Sequence, residues 1–284
     1  MTFKQELQHK LQTLLSQEDL SLLPTGYQRV GDIIILNLPE QLVKNKKLIA
    51  EKVLELTKVR AICNKTGAIT GTFREPQIEF LAGDENTTTI HLESGINYKF
   101  DVRKIMFAKG NVTERVRIAH QIDKNEIIVD MFAGIGYFSL PIAKIGKPKK
   151  IYAIELNPIS FQFFTENIKL NKIKNIEPIN GDNREIIEDL SKTIKADRVL
   201  MSYLPPPKEF LPWAFKIIKR GGMLHYEDIV NADEKEKQKD IDRIMDEIQE
   251  IAQQYNFTIK LQLAKCIKSY GPKKDHYVFD IMVN

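Results

Sequence analysis

The second part of the chain alternates predicted strands with predicted helices, and no other feature of the sequence constrains the fold as strongly. A first strand is predicted over residues 127–131, and four more follow it, each preceded by a helical segment. This alternation is typical of a mostly parallel sheet with helices on both faces. Two further strands, over residues 258–264 and 276–282, complete the predicted sheet. We therefore expect a doubly wound α/β domain in this part of the chain.

The first hundred residues follow a different pattern. Residues 4–23 carry leucines at helical spacing, residues 29–38 are predicted to form a strand, and residues 39–56 are again helical. Several short strands separated by glycine and proline follow up to residue 102. We expect residues 1–108 to form a smaller α+β domain and residues 109–284 the larger one. The scattered basic side chains of the first domain are expected mainly to face solvent, with RNA contact as the alternative.

Composition adds only broad limits. The net charge of +4 is compatible with a polyanionic partner but does not require one. No apolar run is long enough to span a membrane, and the N-terminus lacks the apolar segment of a secretory signal. The two cysteines, Cys63 and Cys266, are far apart and support neither a disulfide framework nor a zinc site. We expect a cytoplasmic monomer that does not associate with membranes.

The first strand of the alternating region leads into a glycine-rich turn. The strand reaches Asp130, and Phe132 then begins the string Phe-Ala-Gly-Ile-Gly, which contains Gly134 and Gly136. Glycine lets a backbone approach a ligand closely, and ligands of open parallel sheets bind beyond the carboxyl ends of the strands. A Gly-x-Gly turn alone is as often structural as functional. Whether this turn indicates a ligand site therefore depends on the residues at the ends of the neighbouring strands.

The next two strands also end in polar residues. Glu155 follows the glycine turn by about 20 residues, where a carboxylate accepts hydrogen bonds from ribose hydroxyls. The string Gly181-Asp182-Asn183 ends the third strand, and its side chains suit either an adenine edge or a helix cap. A nicotinamide dinucleotide site is disfavoured, because Ser139 stands where its third glycine is expected. The pattern favours S-adenosylmethionine as the cofactor.

These segments resemble a superfamily that holds two kinds of tRNA-modifying enzyme. The similarity covers roughly residues 100–230 and includes Asp130-Met-Phe-Ala-Gly-Ile-Gly-Tyr-Phe, Ile151-Tyr-Ala-Ile-Glu-Leu-Asn-Pro and Gly181-Asp-Asn-Arg-Glu. One kind is the archaeal and eukaryotic tRNA guanine-N1-methyltransferase, and the other is the aminocarboxypropyltransferase of wybutosine synthesis. Both modify the purine immediately 3′ of the anticodon. The resemblance implies a class I S-adenosylmethionine-dependent methyltransferase-like (Rossmann-like) fold and tRNA as the partner.

Two short segments distinguish the two branches. The methyltransferases have a Ser-Pro-Arg-Leu element where this chain has Ala-Lys-Gly-Asn over residues 108–111, and Gly-Asn is similar to the aminocarboxypropyl branch. Their Asn-Leu-Pro or Asn-Pro-Pro loop is replaced here by Met201-Ser-Tyr-Leu-Pro, which resembles the Met-Gly-Tyr form of the wybutosine branch. We expect transfer of the 3-amino-3-carboxypropyl group to the tricyclic guanosine derivative of tRNA(Phe). The Leu-Pro that remains keeps guanine-N1 methylation as the alternative.

The resemblance and the strand ends together suggest roles for individual residues. The cofactor is expected to be held by Arg115, Asp130, Phe132, Gly134, Gly136, Glu155, Asp182 and Asn183. The predicted catalytic residues are Glu114, Arg115 and Tyr203. Arg115 suits the methionine carboxylate or a substrate phosphate. Glu114 matches the proton acceptor of the methyltransferases, although it could instead only orient Arg115.

Other interpretations compete with these roles. Glu114, Arg115 and Arg117 could form a surface ion-pair cluster. Tyr203, Trp213 and Tyr226 could stack on an unpaired base, but Trp213 is also typical of a half-buried core residue. A non-enzymatic RNA-binding module with a degenerate pocket is the remaining alternative. The joint presence of both glycines and of the acidic strand ends argues against it.

Overall fold

The computed structural model describes residues 1–107 and 109–284, and the chain divides into two units, Met1–Phe107 and Ala108–Asn284. Ala108, where the sequence predicts the domain boundary and where the Ala-Lys-Gly-Asn segment begins, lies outside the described residues.

The first unit has three helices on one face of a small sheet. Its elements are α1 (Phe3–Leu11), α2 (Gln17–Leu22), β1 (Gln28–Val30), β2 (Ile33–Leu36), a 3-10 helix (Glu40–Asn45), α3 (Lys46–Thr57), β3 (Ala61–Lys65), β4 (Ile78–Gly83), β5 (Thr88–Glu93) and β6 (Ile96–Asp101). The sheet order is β1-β2-β3-β4, and β5 and β6 form a separate hairpin. The single helix predicted over 4–23 is in fact two, because the Ser16 hydroxyl caps a new helix by accepting from the Asp19 N–H.

Alternation along β2 separates the two faces of this sheet. Ile34 and Leu36 lie in the apolar core formed with the helices, which also contains Leu7, Leu11 and Val53. Ile35 points to the opposite face, since successive strand residues alternate. Cys63 is buried in β3.

The second unit has the predicted alternation of strands and helices. Its elements are α4 (Val112–His120), β7 (Ile127–Asp130), α5 (Ser139–Pro141) with a π turn (Ile142–Gly146), β8 (Lys150–Glu155), α6 (Pro158–Leu170), β9 (Ile176–Asn180), α7 (Asn183–Leu190), β10 (Ala196–Met201), α8 (Leu211–Ile217), β11 (Ile218–Asn231), α9 (Glu234–Gln253), β12 (Ile259–Gly271) and β13 (Lys274–Val283). Capping residues and proline explain where helices of this unit begin. Asn157 caps α6 and Pro158 occupies its first turn.

The seven strands of this unit lie in the order β12-β13-β11-β10-β7-β8-β9. Strands β7 to β11 are mutually parallel, and β13 is antiparallel to both of its neighbours. The strand order reverses at β7, which lies between β8 and β10, and ligands of doubly wound sheets bind at such a point. The predicted fold class is confirmed. Among the described residues, no helix is long and apolar enough to cross a membrane.

Candidate cofactor and substrate site

The turn after β7 requires its two glycines. Gly134 and Gly136 have φ angles of 57° and 96°, in the region that favours glycine. A Cβ atom on Gly134 would lie 2.5 Å from the ring of Tyr137, and one on Gly136 would lie 2.6 Å from Leu140. Both glycines therefore have a left-handed backbone, and neighbouring side chains leave no space for a Cβ atom at either position.

Glu155 closes one side of this turn. Its Oε2 accepts a hydrogen bond from the Gly134 N–H at 2.7 Å, and its Oε1 accepts one from the Asn157 N–H at 2.7 Å. Burial raises the pKa of Glu155 to about 7, although both backbone donors oppose the shift. Each carboxyl oxygen keeps a second lone pair for a hydroxyl donor. The tip of β8 thus presents an acceptor directly against the glycine turn.

Asp130 stabilises the glycine turn through hydrogen bonds. It is 1% exposed, and its two oxygens accept from the Phe132 N–H at 3.2 Å and from the Ser139 hydroxyl at 2.6 Å. Burial raises the pKa of Asp130 to about 6. Ser139, which stands in place of a third glycine, is therefore used to hold this carboxyl. Asp130, at the end of β7, therefore holds the turn in shape through these two contacts.

Asp182 has the expected role of a helix cap, and Asn183 has a buried side chain. Asp182 caps α7 by accepting from the Arg184 N–H at 2.9 Å, and it also pairs with the Arg184 side chain. Asn183 is buried, and its Nδ2 donates to the Met131 carbonyl at 3.0 Å. Its Oδ1 is buried without a hydrogen-bond partner among the described residues. A buried acceptor without a donor is costly, which indicates that a ligand donor belongs there.

The aromatic residues expected at the site separate into two groups. Tyr203 stacks on Phe132 with ring centroids 5.0 Å apart and planes 19° apart, and Phe210 meets Phe132 edge-on at 5.1 Å. Trp213 packs half-buried against the core of this unit, as its alternative interpretation predicts. The suggested stacking role of Tyr226 is wrong, because this side chain is 2% exposed within the core.

Arg115 lies beside the turn, and Glu114 does not pair with it. Arg115 is 3% exposed, and its guanidinium carbon lies 5.0 Å from the centre of the Tyr137 ring. Glu114 is 1% exposed and accepts from Arg117 Nε at 2.8 Å and from Arg117 Nη2 at 2.5 Å. The alternative of a surface ion-pair cluster is therefore wrong, since Glu114 and Arg115 are buried on the inner side of α4 and Arg117 is partly buried.

The Glu114–Arg117 pair continues into a chain of buried charges that the sequence did not predict. Asp280 accepts from Arg117 at 2.6 and 2.9 Å and from His225 Nδ1 at 2.6 Å. Arg198 contacts His225 Nε2 at 2.6 Å and pairs with Glu126 at 2.9 and 3.0 Å.

Burial lowers the pKa of His225, so the neutral ring donates from Nδ1 and accepts at Nε2. A signal for this chain was present in the sequence: Arg198 directly precedes the apolar run Val199-Leu-Met, and Asp280 stands between the apolar residues Phe279 and Ile281.

These residues fit S-adenosylmethionine. Two glycines leave space for a nucleoside, Glu155 offers acceptors for ribose hydroxyls, and the unpaired Oδ1 of Asn183 can accept from an adenine amine. Phe132 and Tyr203 form an aromatic wall beside them. The arrangement can hold a cationic nucleoside at the switch point of the sheet.

Comparison with known proteins gives consistent matches along the chain. Residues 89–260 match the TRM5/TYW2 methyltransferase domain, and residues 7–87 match the TYW2 N-terminal domain. The tRNA(Phe) (4-demethylwyosine(37)-C(7)) aminocarboxypropyltransferase of Methanocaldococcus jannaschii is 40% identical over 258 residues, covering 89% of this chain and 96% of that protein. The Pyrococcus horikoshii enzyme of the same name is 40% identical over 281 residues, covering 99% and 97%. The crystal structure of P. horikoshii TYW2 in complex with MeSAdo has a TM-score of 0.84 and 37% identity, covering 99% of each chain.

Proposed function

The chain belongs to the TRM5/TYW2 methyltransferase family, and on that premise we propose that it is a tRNA-modifying transferase of the aminocarboxypropyl branch. It transfers the 3-amino-3-carboxypropyl group of S-adenosylmethionine to C7 of the tricyclic guanosine derivative next to the anticodon of tRNA(Phe). The observation that carries this proposal is the 40% identity to two such enzymes over nearly the whole chain, including the TYW2 N-terminal domain.

The geometry of the site determines which carbon–sulfur bond of the cofactor breaks. Bound S-adenosylmethionine supplies a sulfonium with three electrophilic carbons, and the carbon held in line with the nucleophile decides the product. We assign the nucleoside half to the turn: Gly134 and Gly136 accommodate it, Phe132 packs against it, and Glu155 accepts from the ribose. Asp182 orders the start of α7, and Asn183 Oδ1 accepts from the adenine amine. Asp130 fixes the turn from within.

We assign the amino-acid half of the cofactor and the tRNA base to the predicted catalytic residues. Arg115, held beside Tyr137, binds the methionine carboxylate. Tyr203, stacked on Phe132, positions the base to be modified. Glu114 receives the proton that the attacking base carbon, C7, loses once the new bond has formed, and its pairing with Arg117 orients its carboxyl group. These roles let the base carbon attack the carbon next to the sulfonium while methylthioadenosine leaves.

We further propose that residues 1–108 contact tRNA and that residues 109–284 carry the catalysis, in a cytoplasmic monomer. Support comes from the separate match of residues 7–87 to the TYW2 N-terminal domain and from the two units of the fold. The net charge of +4 is compatible with a polyanionic substrate.

Guanine-N1 methylation of tRNA is the second candidate. The retained Leu204-Pro205 pair and the position of Glu114 favour it. The by-products separate the two activities: purified protein is incubated with S-adenosylmethionine and tRNA carrying the tricyclic base, and the released nucleosides are resolved by chromatography. We expect methylthioadenosine. Release of S-adenosylhomocysteine alone would contradict the aminocarboxypropyl proposal.

A further inference from the structure

The first unit contains a pocket on the face of its sheet that points away from the helices. The pocket has a volume of about 210 Å³ and is lined only by residues of this unit. Ile35 pairs with Gln28 on β1 and with Cys63 on β3. Lys65 follows Cys63 by two residues and pairs with Ile78 on β4, so Gln28, Ile35, Lys65 and Ile78 share this face. The hairpin between β3 and β4 and the segment after β6 form the remaining walls.

One wall of the pocket is aromatic and fixed. Phe107 stacks on Phe100 with ring centroids 4.9 Å apart and planes 11° apart, and it meets the edge of Tyr98 at 5.4 Å. The Gln28 side chain donates to the Phe107 carbonyl at 3.4 Å. These contacts hold the aromatic wall in place.

The lining of the pocket, as far as the structure describes it, carries a single charged side chain. Lys65 is the single ionisable residue among the described residues that line it. Its side chain is exposed and makes no ion pair or hydrogen bond with the described part of the chain. An apolar, partly aromatic pocket with one available ammonium suits a flat ring attached to an anionic group.

We propose that this pocket holds one unstacked nucleobase of the tRNA substrate, with the Lys65 ammonium against a neighbouring phosphate. The inference rests on the proposed function, because it takes tRNA as the substrate. Pockets for drug-sized ligands have volumes of roughly 300–1,000 Å³, so this smaller one suits a single ring system. RNA-modifying proteins commonly hold splayed bases on aromatic side chains. An apolar side chain of a protein partner would fit the same volume but would leave Lys65 unused.

Two substitutions test the two halves of the proposal. Lys65→Ala removes the cation, and Ile35→Phe fills the pocket without changing charge. Lys44→Ala is the matched control, since Lys44 is exposed on the 3-10 helix that packs with the helices on the other face. The Kd for tRNA is measured for each protein at several salt concentrations, together with the Tm and the Kd for S-adenosylmethionine.

We expect Lys65→Ala to weaken tRNA binding about three- to tenfold and to reduce the slope of log Kd against log salt by about one. Ile35→Phe weakens binding about tenfold with an unchanged slope. Lys44→Ala binds tRNA as tightly as the wild-type protein, and Lys65→Arg restores the binding that Lys65→Ala loses. The Kd for S-adenosylmethionine and the Tm remain as in the wild type.

Wild-type tRNA affinity in both Lys65→Ala and Ile35→Phe would overturn the inference and leave the pocket to a protein partner. Release of methylthioadenosine by the wild-type protein is scored separately. If that release fails while the two variants still weaken tRNA binding, the proposed reaction is wrong and the pocket assignment stands.

Discussion

Arg117 joins Glu114 to Asp280 through two pairs of hydrogen bonds, with donor–acceptor distances between 2.5 and 2.9 Å. Glu114 and Arg117 lie on α4, and Asp280 lies on β13, which are far apart in sequence. The bridge therefore fixes the helix that carries Glu114 and Arg115 onto the sheet. Buried ion pairs are costly to form and more costly to break, so this link determines where the helix sits.

The Asp280→Asn variant should be strongly destabilised. Burial opposes ionisation of Asp280, but hydrogen bonds from His225 and Arg117 outweigh it and hold its pKa below the usual range. Its contribution is therefore present above a pH of about 4 and is lost as pH falls further. At pH 7 we expect the free energy of unfolding to fall by about 3–5 kcal/mol, measured by urea denaturation. The control Asp189→Asn breaks an exposed pair with Lys192 and should leave stability unchanged. Equal effects of the two variants would refute a structural role for the bridge.

Cofactor affinity should rise with pH around neutrality. Burial raises the pKa of Glu155 to about 7, and an ionised carboxylate is the stronger acceptor for ribose hydroxyls. Below pH 7 the group is protonated, so calorimetric titration with S-adenosylmethionine should show tighter binding as pH increases from 6 to 8. Glu155→Gln should bind weakly at every pH. A flat profile in the wild-type protein would remove Glu155 from the ribose site.

Gly134→Ala should abolish tight cofactor binding. The new Cβ would lie 2.5 Å from the Tyr137 ring, in the turn to which we assign the nucleoside. Gly221→Ala is a matched control, because Gly221 also has a positive φ of 74° but no described atom lies within 4 Å of the position that its new methyl group would take. Both variants should lose about 1–2 kcal/mol of stability from the left-handed backbone, and Gly134→Ala should lose more because of its contact with the Tyr137 ring. Only Gly134→Ala should lose more than tenfold in affinity for S-adenosylmethionine; similar affinities for both variants would argue against a close approach at Gly134.

Arg115→Ala should distinguish between two ligands that share the same nucleoside. S-adenosylmethionine has a methionine carboxylate, and methylthioadenosine does not. If Arg115 binds that carboxylate, the variant should lose about tenfold or more in affinity for S-adenosylmethionine and little for methylthioadenosine. Equal losses for both ligands would mean that Arg115 only supports the turn through Tyr137. A raised KM for tRNA with both affinities intact would point to a phosphate contact instead.

The sequence predicted the parts of this molecule that are encoded locally. Strand periodicity and the residues at strand ends located the turn at Gly134 and the carboxyl group of Glu155, because both follow from position along a strand. The fold class followed from the same alternation, and the resemblance led to the family. The helix break at Ser16 was missed because the leucine spacing continues across it.

The buried charge chain could not be derived in the same way. Glu114 and Arg117 lie on α4, His225 lies on β11 and Asp280 lies on β13, so the pairing of these residues depends on how the helix packs against the two strands. Sequence spacing carries no information about that packing. The pocket of the first unit could not be predicted for the same reason, since only the tertiary fold brings Phe107 and Lys65 to the same pocket.

The group transferred to tRNA tests the central claim most directly. S-adenosylmethionine labelled with one isotope in the methyl carbon and another in the carboxypropyl carbons is incubated with the protein and tRNA(Phe) carrying the tricyclic base, and the digested tRNA is analysed by mass spectrometry. We expect that only the carboxypropyl label enters the modified base. Entry of the methyl label alone would contradict this expectation and identify the protein as a methyltransferase.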